Sequence, residues 1–371
     1  MTDTSRRLVS TVTQEGQVRL TLQDVPVPTP GDDEVVIQVE ATPINPSDLA
    51  VLLAFADPAS FTSDGEHATA AVPPAFQRAL AARAGRDVPV GNEGAGTVIA
   101  AGSSPEAQAL LGKTVAAAGG AFYAQHRKAR AAECLVIPEG TSAEEAASSF
   151  VNPMTALGMV GTLRRDGGQA LIHTAAASNL GQMLVKLCKA EGIPLVNIVR
   201  SEAQVQLLRS LGAEHVVDMS AADFLPALVD AIAATKAFVA FDALGGGKLG
   251  GQILTAMEQA ALRTEKVDGP YGSRQLKRLY IYGGLDTAPT EFGRSFGFRW
   301  NMAGWLLTYF LEEVGPAEVA RMRQRVGAEL KGIFASKYTS RIPLAGVLDP
   351  ANIAAYGKRA TGEKYLVLPQ A

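Results

Sequence analysis

The sequence predicts an α/β protein of two lobes, one β-rich and one built on a doubly wound parallel sheet. Three observations carry this. The first ~140 residues hold short runs with alternating faces, punctuated by proline. From about Glu144 strand-like and helix-like segments alternate, which is how a parallel sheet is written. Lys337 to Ile342 and Lys364 to Leu368 then revert to strand signals, so the end of the chain rejoins the first lobe.

In the first lobe Val18 to Leu22 precedes Pro26, Pro28 and Pro30, and Glu34 to Val39 follows with alternating faces. Ala95 to Ala101, Thr114 to Ala118 and Ala132 to Ile137 continue the strand pattern. Pro58 to Asp87, rich in Ala and Pro with a helical stretch near Phe76 to Arg83, reads as an insertion over this lobe. The second lobe opens with the strand Gln169 to His173, a turn and the helix Leu180 to Ala190. Leu195 to Val199 is its second strand and Glu202 to Leu211 the next helix, stopped by Gly212. His215 to Val217 and Ala237 to Phe241 are the third and fourth strands. Leu279 to Tyr282 is the fifth, ending at Gly283 and Gly284 after an unusually long connection, Leu262 to Lys277. The expected domains are 1–149 with 322–371, and 150–321 between them.

The chain has 371 residues, 47% hydrophobic and 19% charged, which excludes disorder and leaves enough apolar side chain for a core without staples. Lys plus Arg total 34 against 37 Asp plus Glu, so a net charge of -3 argues against nucleic acid or anionic lipid as the main partner. Cys134 and Cys188 form no C-x-x-C, so a four-thiolate zinc lobe is excluded and nothing points to an oxidising compartment. The first residues lack the apolar stretch of a secretory signal. Gly167 to Val185 carries no Asp, Glu, Lys or Arg, but Gln169, His173, Ser178, Asn179 and Gln182 interrupt it, so no membrane span is expected. These features predict a soluble, cytoplasmic protein.

The strongest local signal is the turn from His173 to Gly181, where a dinucleotide pyrophosphate would sit on a helix N-terminus. A G-x-G-x-x-G pattern would place glycines at Ala176, Ser178 and Gly181, and only the last is present. On this turn alone, dinucleotide binding and a plain tight turn both stay open. At the end of the second strand, where an NAD-preferring fold places a carboxylate, the chain has Arg200 followed by Ser201. A guanidinium beside a hydroxyl suits a 2'-phosphate, so NADPH is the expected cofactor; the bland reading is a solvated arginine.

Several blocks in order carry a resemblance: Ile44-Asn-Pro-Ser-Asp48, Gly91-Asn-Glu-Gly-Ala-Gly-Thr-Val98, Asn152-Pro-Met-Thr-Ala156, Ser210-Leu-Gly-Ala-Glu-His215, Tyr282-Gly-Gly284 and Gly362-Glu-Lys-Tyr-Leu-Val367. Together they resemble the medium-chain dehydrogenase/reductases, within them the zinc-free quinone oxidoreductase and 2-enoyl thioester reductase branch. The resemblance implies a Rossmann lobe joined to a GroES-like catalytic lobe. In zinc-dependent relatives the second block reads G-H-E and its histidine ligates the metal; here Asn92 stands in that place, which implies metal-independent chemistry. His67, His126, His173 and His215 form no H-E-x-x-H pair.

Carried over residue by residue, the resemblance puts Asn45 and Thr155 near the nicotinamide, where ordinary turn and cap duty is the plainer alternative. It puts Ser178, Asn179 and Leu180 along the pyrophosphate, with Gly181 packing the helix, and Arg200 and Ser201 at the 2'-phosphate. Gly283 and Gly284 would let backbone approach the nicotinamide end. Enoyl thioester reductases carry a tyrosine shortly after the N-P-S-D block, thought to help protonate the product, but only Phe55 and Phe61 follow here. Tyr123 is the first tyrosine and thus the candidate donor, although a packing role is the simpler expectation. Phe292 to Phe310 carries Phe296, Phe298, Trp300, Trp305, Tyr309 and Phe310, which would line a cleft for a flat acceptor or form a subunit interface.

The expectation is hydride transfer from NADPH to a small-molecule acceptor, a quinone or an enal or enone, in a homodimer without metal, nucleic acid or membrane. The alternatives are a 2-enoyl thioester reductase with a substituted proton donor and a non-catalytic NADPH-binding protein.

Overall fold

A computed structural model describes residues 4–266 and 269–371. The chain divides into two compact units, Met1–Val151 with Arg323–Ala371, and Asn152–Met322.

The first unit opens with β1 (Thr4–Val12), β2 (Gln17–Pro26), β3 (Glu34–Pro43), β4 (Thr62–Ser63), β5 (His67–Ala71) and β6 (Asp87–Pro89). It continues with β7 (Glu93–Ala101), β8 (Thr114–Ala118), β9 (His126–Arg130) and β10 (Leu135–Val136). Its first sheet has the order β4-β5-β2-β1-β6, and β1 lies antiparallel to β2 from Thr4 opposite Pro26 to Val12 opposite Val18. Val18 and Leu20 turn inward at alternate positions and join Leu8, Leu52 and Tyr123 in one core.

Two expectations need correction here. Pro58 to Asp87 is no insertion over the lobe, because β5 pairs with β2 and β6 with β1, so the segment supplies strands of the sheet itself. The sequence of β5, His-Ala-Thr-Ala-Ala, has weak strand propensity, and its pairing is decided by β2. Ala132 to Ile137 is not one strand: a 3-10 turn, Ala131–Glu133, precedes the two-residue β10.

The second unit contains β11 (Leu171–His173), β12 (Leu195–Val199), β13 (His215–Asp218), β14 (Val239–Asp242), β15 (Lys277–Ile281) and β16 (Trp300–Gly304). Their order is β13-β12-β11-β14-β15-β16 with every neighbouring pair parallel, the doubly wound Rossmann arrangement whose order reverses between β11 and β14. Every residue of β12 and β14 is buried, as parallel strands covered on both faces require. β16 escapes a pattern search because all five of its residues are exposed at the sheet edge and none alternates. The helix Leu307–Ala328 that follows breaks at Gly315, whose φ of 78° precedes Pro316.

The long connection before β15, of which residues 267 and 268 lie outside the described residues, is anchored from within. Lys277 is fully buried, with its ammonium 2.5 Å from Glu258 and also donating to the Ser273 hydroxyl. β17 (Ser340–Pro343) and β18 (Tyr365–Leu368) return to the first unit, whose second sheet has the order β10-β8-β7-β3-β18-β17, with β9 also on β3.

Candidate active site

In the second unit, β11 ends at His173 and the chain turns through Ala175, which takes a positive φ of 49°, into the helix Asn179–Glu191. The Ser178 hydroxyl caps that helix by accepting the Gly181 N–H at 3.1 Å. A Cβ on Gly181 would lie 2.0 Å from the Ala176 carbonyl oxygen, so the helix rests directly on the turn and tolerates no side chain there. This explains why the third glycine of the expected pattern is the one present. The left-handed residue of the turn is Ala175, outside the pattern altogether. Leu180 is buried, which leaves the first-turn N–H groups as that end's anion-binding feature.

Thr174 fixes the turn sideways. Its hydroxyl donates to Asp242 at 2.7 Å and accepts the Ala243 N–H at 2.8 Å. Arg200 is exposed just past β12, and Ser201 starts the next helix with its hydroxyl making no capping bond. Gly283 is held close to the loop after β14, since a Cβ there would lie 2.5 Å from the Ala243 carbonyl oxygen. Gly284 meets nothing within 4 Å, so backbone closeness accounts for only the first of the two glycines.

A shallow cavity of about 380 Å³, widely open to solvent, lies at the carboxyl ends of β15 and β16, lined by Ile281, Tyr282, Gly283, Gly304, Trp305, Leu306 and Tyr309. This is the carboxyl end of the sheet, on which open α/β sheets bind ligands, although the order reversal between β11 and β14 lies mid-sheet, away from the β16 edge. Trp305 is held by its indole N–H, which donates to the Thr162 hydroxyl at 3.0 Å, and by an edge contact with Phe241. Tyr282 reaches His173, whose Nε2 lies 2.7 Å from the phenol oxygen. The aromatic segment therefore has three fates: Trp305 and Tyr309 line the cavity, Phe296 and Phe310 are buried, and Phe298 and Trp300 are exposed. His173, Tyr282 and Leu306 were not singled out as site residues; the Tyr282-Gly-Gly block was the one available signal. Thr155 is buried within the helix Val151–Arg165.

In the first unit Asn45 precedes the helix Pro46–Leu52 and is buried in a polar cluster. Its amide donates to Glu93 Oε1 at 2.8 Å, and its carbonyl oxygen accepts from the Lys364 ammonium at 3.2 Å. Glu93 Oε2 accepts the N–H groups of Phe150 and Val151. Asp48 accepts the N–H of Asn45 and that of Asn92, each at 2.8 Å. Burial pushes Asp48 up to about 7 and Lys364 down to about 8, and it raises Glu93 as well. The Asn92 amide donates to the Ser47 hydroxyl at 3.0 Å. Among the described residues no group of three or more His, Cys, Asp or Glu side chains is placed to hold a metal ion.

Tyr123 is fully buried, and its hydroxyl donates to the Pro43 carbonyl at 3.2 Å. Burial, reinforced by Asp48, holds its phenol well above the usual range. Packing accounts for this residue, and it presents no proton to solvent.

A family model described as "Zinc-binding dehydrogenase" matches residues 180–261, within the Rossmann unit. A mitochondrial enoyl-[acyl-carrier-protein] reductase of Caenorhabditis elegans is 27% identical over 203 residues, covering 53% of this chain and 52% of the relative. A quinone oxidoreductase of Pseudomonas aeruginosa is 29% identical over 160 residues, covering 42% and 49%. The chain thus spans about half the length of the curated relatives it matches. A solved structure from Mesorhizobium loti, described as an NADPH:quinone reductase, superposes with a TM-score of 0.74 at 25% identity over 100% of this chain and 99% of that one. These matches make the chain similar to members of the medium-chain dehydrogenase/reductase superfamily. Its fold, a Rossmann sheet and a β-rich GroES-like unit, is that of the quinone and enoyl reductases to which it is similar.

Proposed function

We propose that this protein is a zinc-independent, NADPH-dependent oxidoreductase that reduces a quinone or the activated C=C bond of an enal or enone. The observation that carries the reading is the helix N-terminus at Ser178 with Arg200 and Ser201 at the end of the adjacent strand β12. The helix end offers N–H groups and the positive end of its dipole to a pyrophosphate. Arg200 is exposed, the Ser201 hydroxyl makes no cap bond, and the residue directly after β12 is a guanidinium rather than a carboxylate, although Glu202 follows in the first turn of the next helix. The name of the Mesorhizobium loti protein supports the same cofactor.

When bound, NADPH supplies a hydride to an electron-poor carbon of the acceptor. The residues of the chain bind and orient: Ser178, Asn179, Leu180, Arg200 and Ser201 hold the cofactor, while Gly181 and Gly283 let backbone approach closely. Asn45 and Thr155 are proposed at its nicotinamide end. Asn92 gives its amide to Ser47, and this donor set supports metal independence. The exposed edge strand β16 supports a homodimer, and the free thiols Cys134 and Cys188 support the cytoplasm.

Reduction of a 2-enoyl thioester is a second reading, favoured by the enoyl reductases among the relatives. It requires a proton donor in place of the tyrosine absent after Asp48; Tyr123 is the sequence candidate, and its burial does not favour it. Steady-state NADPH oxidation with duroquinone, trans-2-hexenal and crotonyl-CoA, before and after prolonged chelation, tests both. Turnover of the quinone or the enal, unchanged by chelation, is expected. Turnover of crotonyl-CoA alone would favour the second reading, and no turnover with any acceptor would overturn both. Stoichiometric zinc lost together with activity would overturn metal independence.

A further inference from the structure

The buried His173 and the half-buried Tyr282 form a pair beside the cavity at the ends of β15 and β16. The imidazole Nε2 lies 2.7 Å from the Tyr282 oxygen, and the rings stack with centroids 5.7 Å apart at 19°. His173 is fully buried and its Nδ1 has no hydrogen-bond partner. Burial pushes its imidazole down to about 3, so the ring is neutral and carries one proton. Burial also keeps the Tyr282 phenol protonated.

Two arrangements of these protons exist. If Tyr282 donates to Nε2, the imidazole proton sits on Nδ1, a buried N–H with nothing to receive it. Such orphaned donors are rare and cost a full desolvation penalty. If Nε2–H donates to the Tyr282 oxygen, Nδ1 is left as a bare lone pair, a cheaper deficit. The phenol proton must then go elsewhere, and Tyr282, unlike Nδ1, lines the cavity. The second arrangement leaves no donor stranded once the cavity holds an acceptor atom.

We infer that Tyr282, with its proton direction set by His173, is the hydrogen-bond donor that receives the carbonyl oxygen of a flat conjugated ligand in this cavity. Flatness follows from the walls: Trp305, Tyr309 and Tyr282 are rings, and Gly283 and Gly304 leave room beside them. The inference rests on the proposed reductase function for the identity of that ligand. The carbonyl belongs either to the acceptor or to the carboxamide of the nicotinamide. For an acceptor carbonyl, hydride adds at carbon, the electron pair moves onto the oxygen, and water supplies the second hydrogen as a proton. A donor placed at that oxygen strengthens as its charge develops.

The first measurement uses wild-type protein without ligand. Nitrogen NMR of the four histidine rings, with the His173 signals identified as those moved by Tyr282→Phe, should show Nε2 protonated and Nδ1 bare. A proton on Nδ1 would overturn the inference. The second compares Tyr282→Phe with wild type in two arms, NADPH binding by nicotinamide fluorescence and duroquinone kinetics at saturating NADPH. A loss of about tenfold, the size of one net hydrogen bond, in NADPH affinity assigns the oxygen to the carboxamide. The same loss in duroquinone kcat/KM alone assigns it to the acceptor. Changes below twofold in both arms would overturn it. Should wild type oxidise no NADPH, the functional reading fails, and the imidazole proton position still decides this one.

Discussion

The Asp48 carboxylate accepts the backbone N–H of Asn92 at 2.8 Å, which ties the segment around Asn92 to the helix that starts behind Asn45. Its other oxygen accepts the Asn45 N–H. Two donors on one buried carboxylate set the backbone of both segments, and the Asn45 amide then continues the chain of contacts to Glu93 and Lys364. The cluster is fully enclosed, so its ionisation is coupled to folding.

Asp48 gives the sign of that coupling. Its folded pKa, about 7, lies above the ordinary 3.8, so the folded state keeps a proton that the unfolded chain has lost. The stability this residue contributes is fully present below pH ~4 and lost as pH rises to ~7. Asp48→Asn removes the titration, and because an amide accepts at one atom only, it strands one of the two N–H groups at a cost of about 1–3 kcal/mol. Denaturant unfolding from pH 4 to 8 should show the variant less stable than wild type at the acid end, with a shallower decline across the window that narrows the gap toward pH 8. Parallel pH profiles would contradict the assignment.

Three glycines should respond in opposite ways. Gly181→Ala and Gly283→Ala place a methyl group within 2.0 and 2.5 Å of carbonyl oxygens, whereas Gly284→Ala meets nothing within 4 Å. The first two should each lose about 1–3 kcal/mol, or more, in thermal or denaturant unfolding. The third should stay within about 0.5 kcal/mol of wild type. Equal behaviour of all three would show that backbone contact does not govern these loops.

Arg200→Asp exchanges the proposed 2'-phosphate partner for a like charge at an exposed strand end. NADPH affinity should fall roughly 10- to 100-fold, while NADH affinity changes by less than about fivefold. Titration by fluorescence measures both, and equal losses would remove Arg200 from the 2'-phosphate.

Tyr123→Phe deletes a hydroxyl bonded to a buried carbonyl. Stability should drop by about 1 kcal/mol, and enal turnover should change less than about tenfold, short of the 10²- to 10⁴-fold that loss of a general acid produces. A large loss restricted to the enal, with quinone turnover intact, would restore Tyr123 as a proton donor.

The central strands were legible because Leu195–Val199 and Val239–Asp242 are short apolar runs with no competing helical period. Gly181 was legible because close packing admits no substitute. The positive φ at Ala175 was hidden, since alanine carries no signature of a left-handed turn. β16 was hidden because an exposed edge strand has no burial pattern to read, and β5 because a partner strand rather than its own residues makes it a strand. The Asn45 to Lys364 bond joins positions 319 apart, and nothing local at either residue announces the other. The cavity likewise combines two strand ends, Ile281 to Gly283 and Gly304 to Leu306, that become neighbours only once β16 is known.

The second sheet of the first unit is completed by β18, which pairs with β3 through Val367 opposite Thr42. On a ribosome this sets a timetable. Asn152–Met322 is one uninterrupted stretch and its sheet can close as soon as it has emerged. The strands synthesised first must wait for residues 365–368, with the edge of β3 that β18 will cover still bare in the nascent chain. The interval between making β3 and making β18 is therefore the period when this protein is most open to chaperone capture or mispairing.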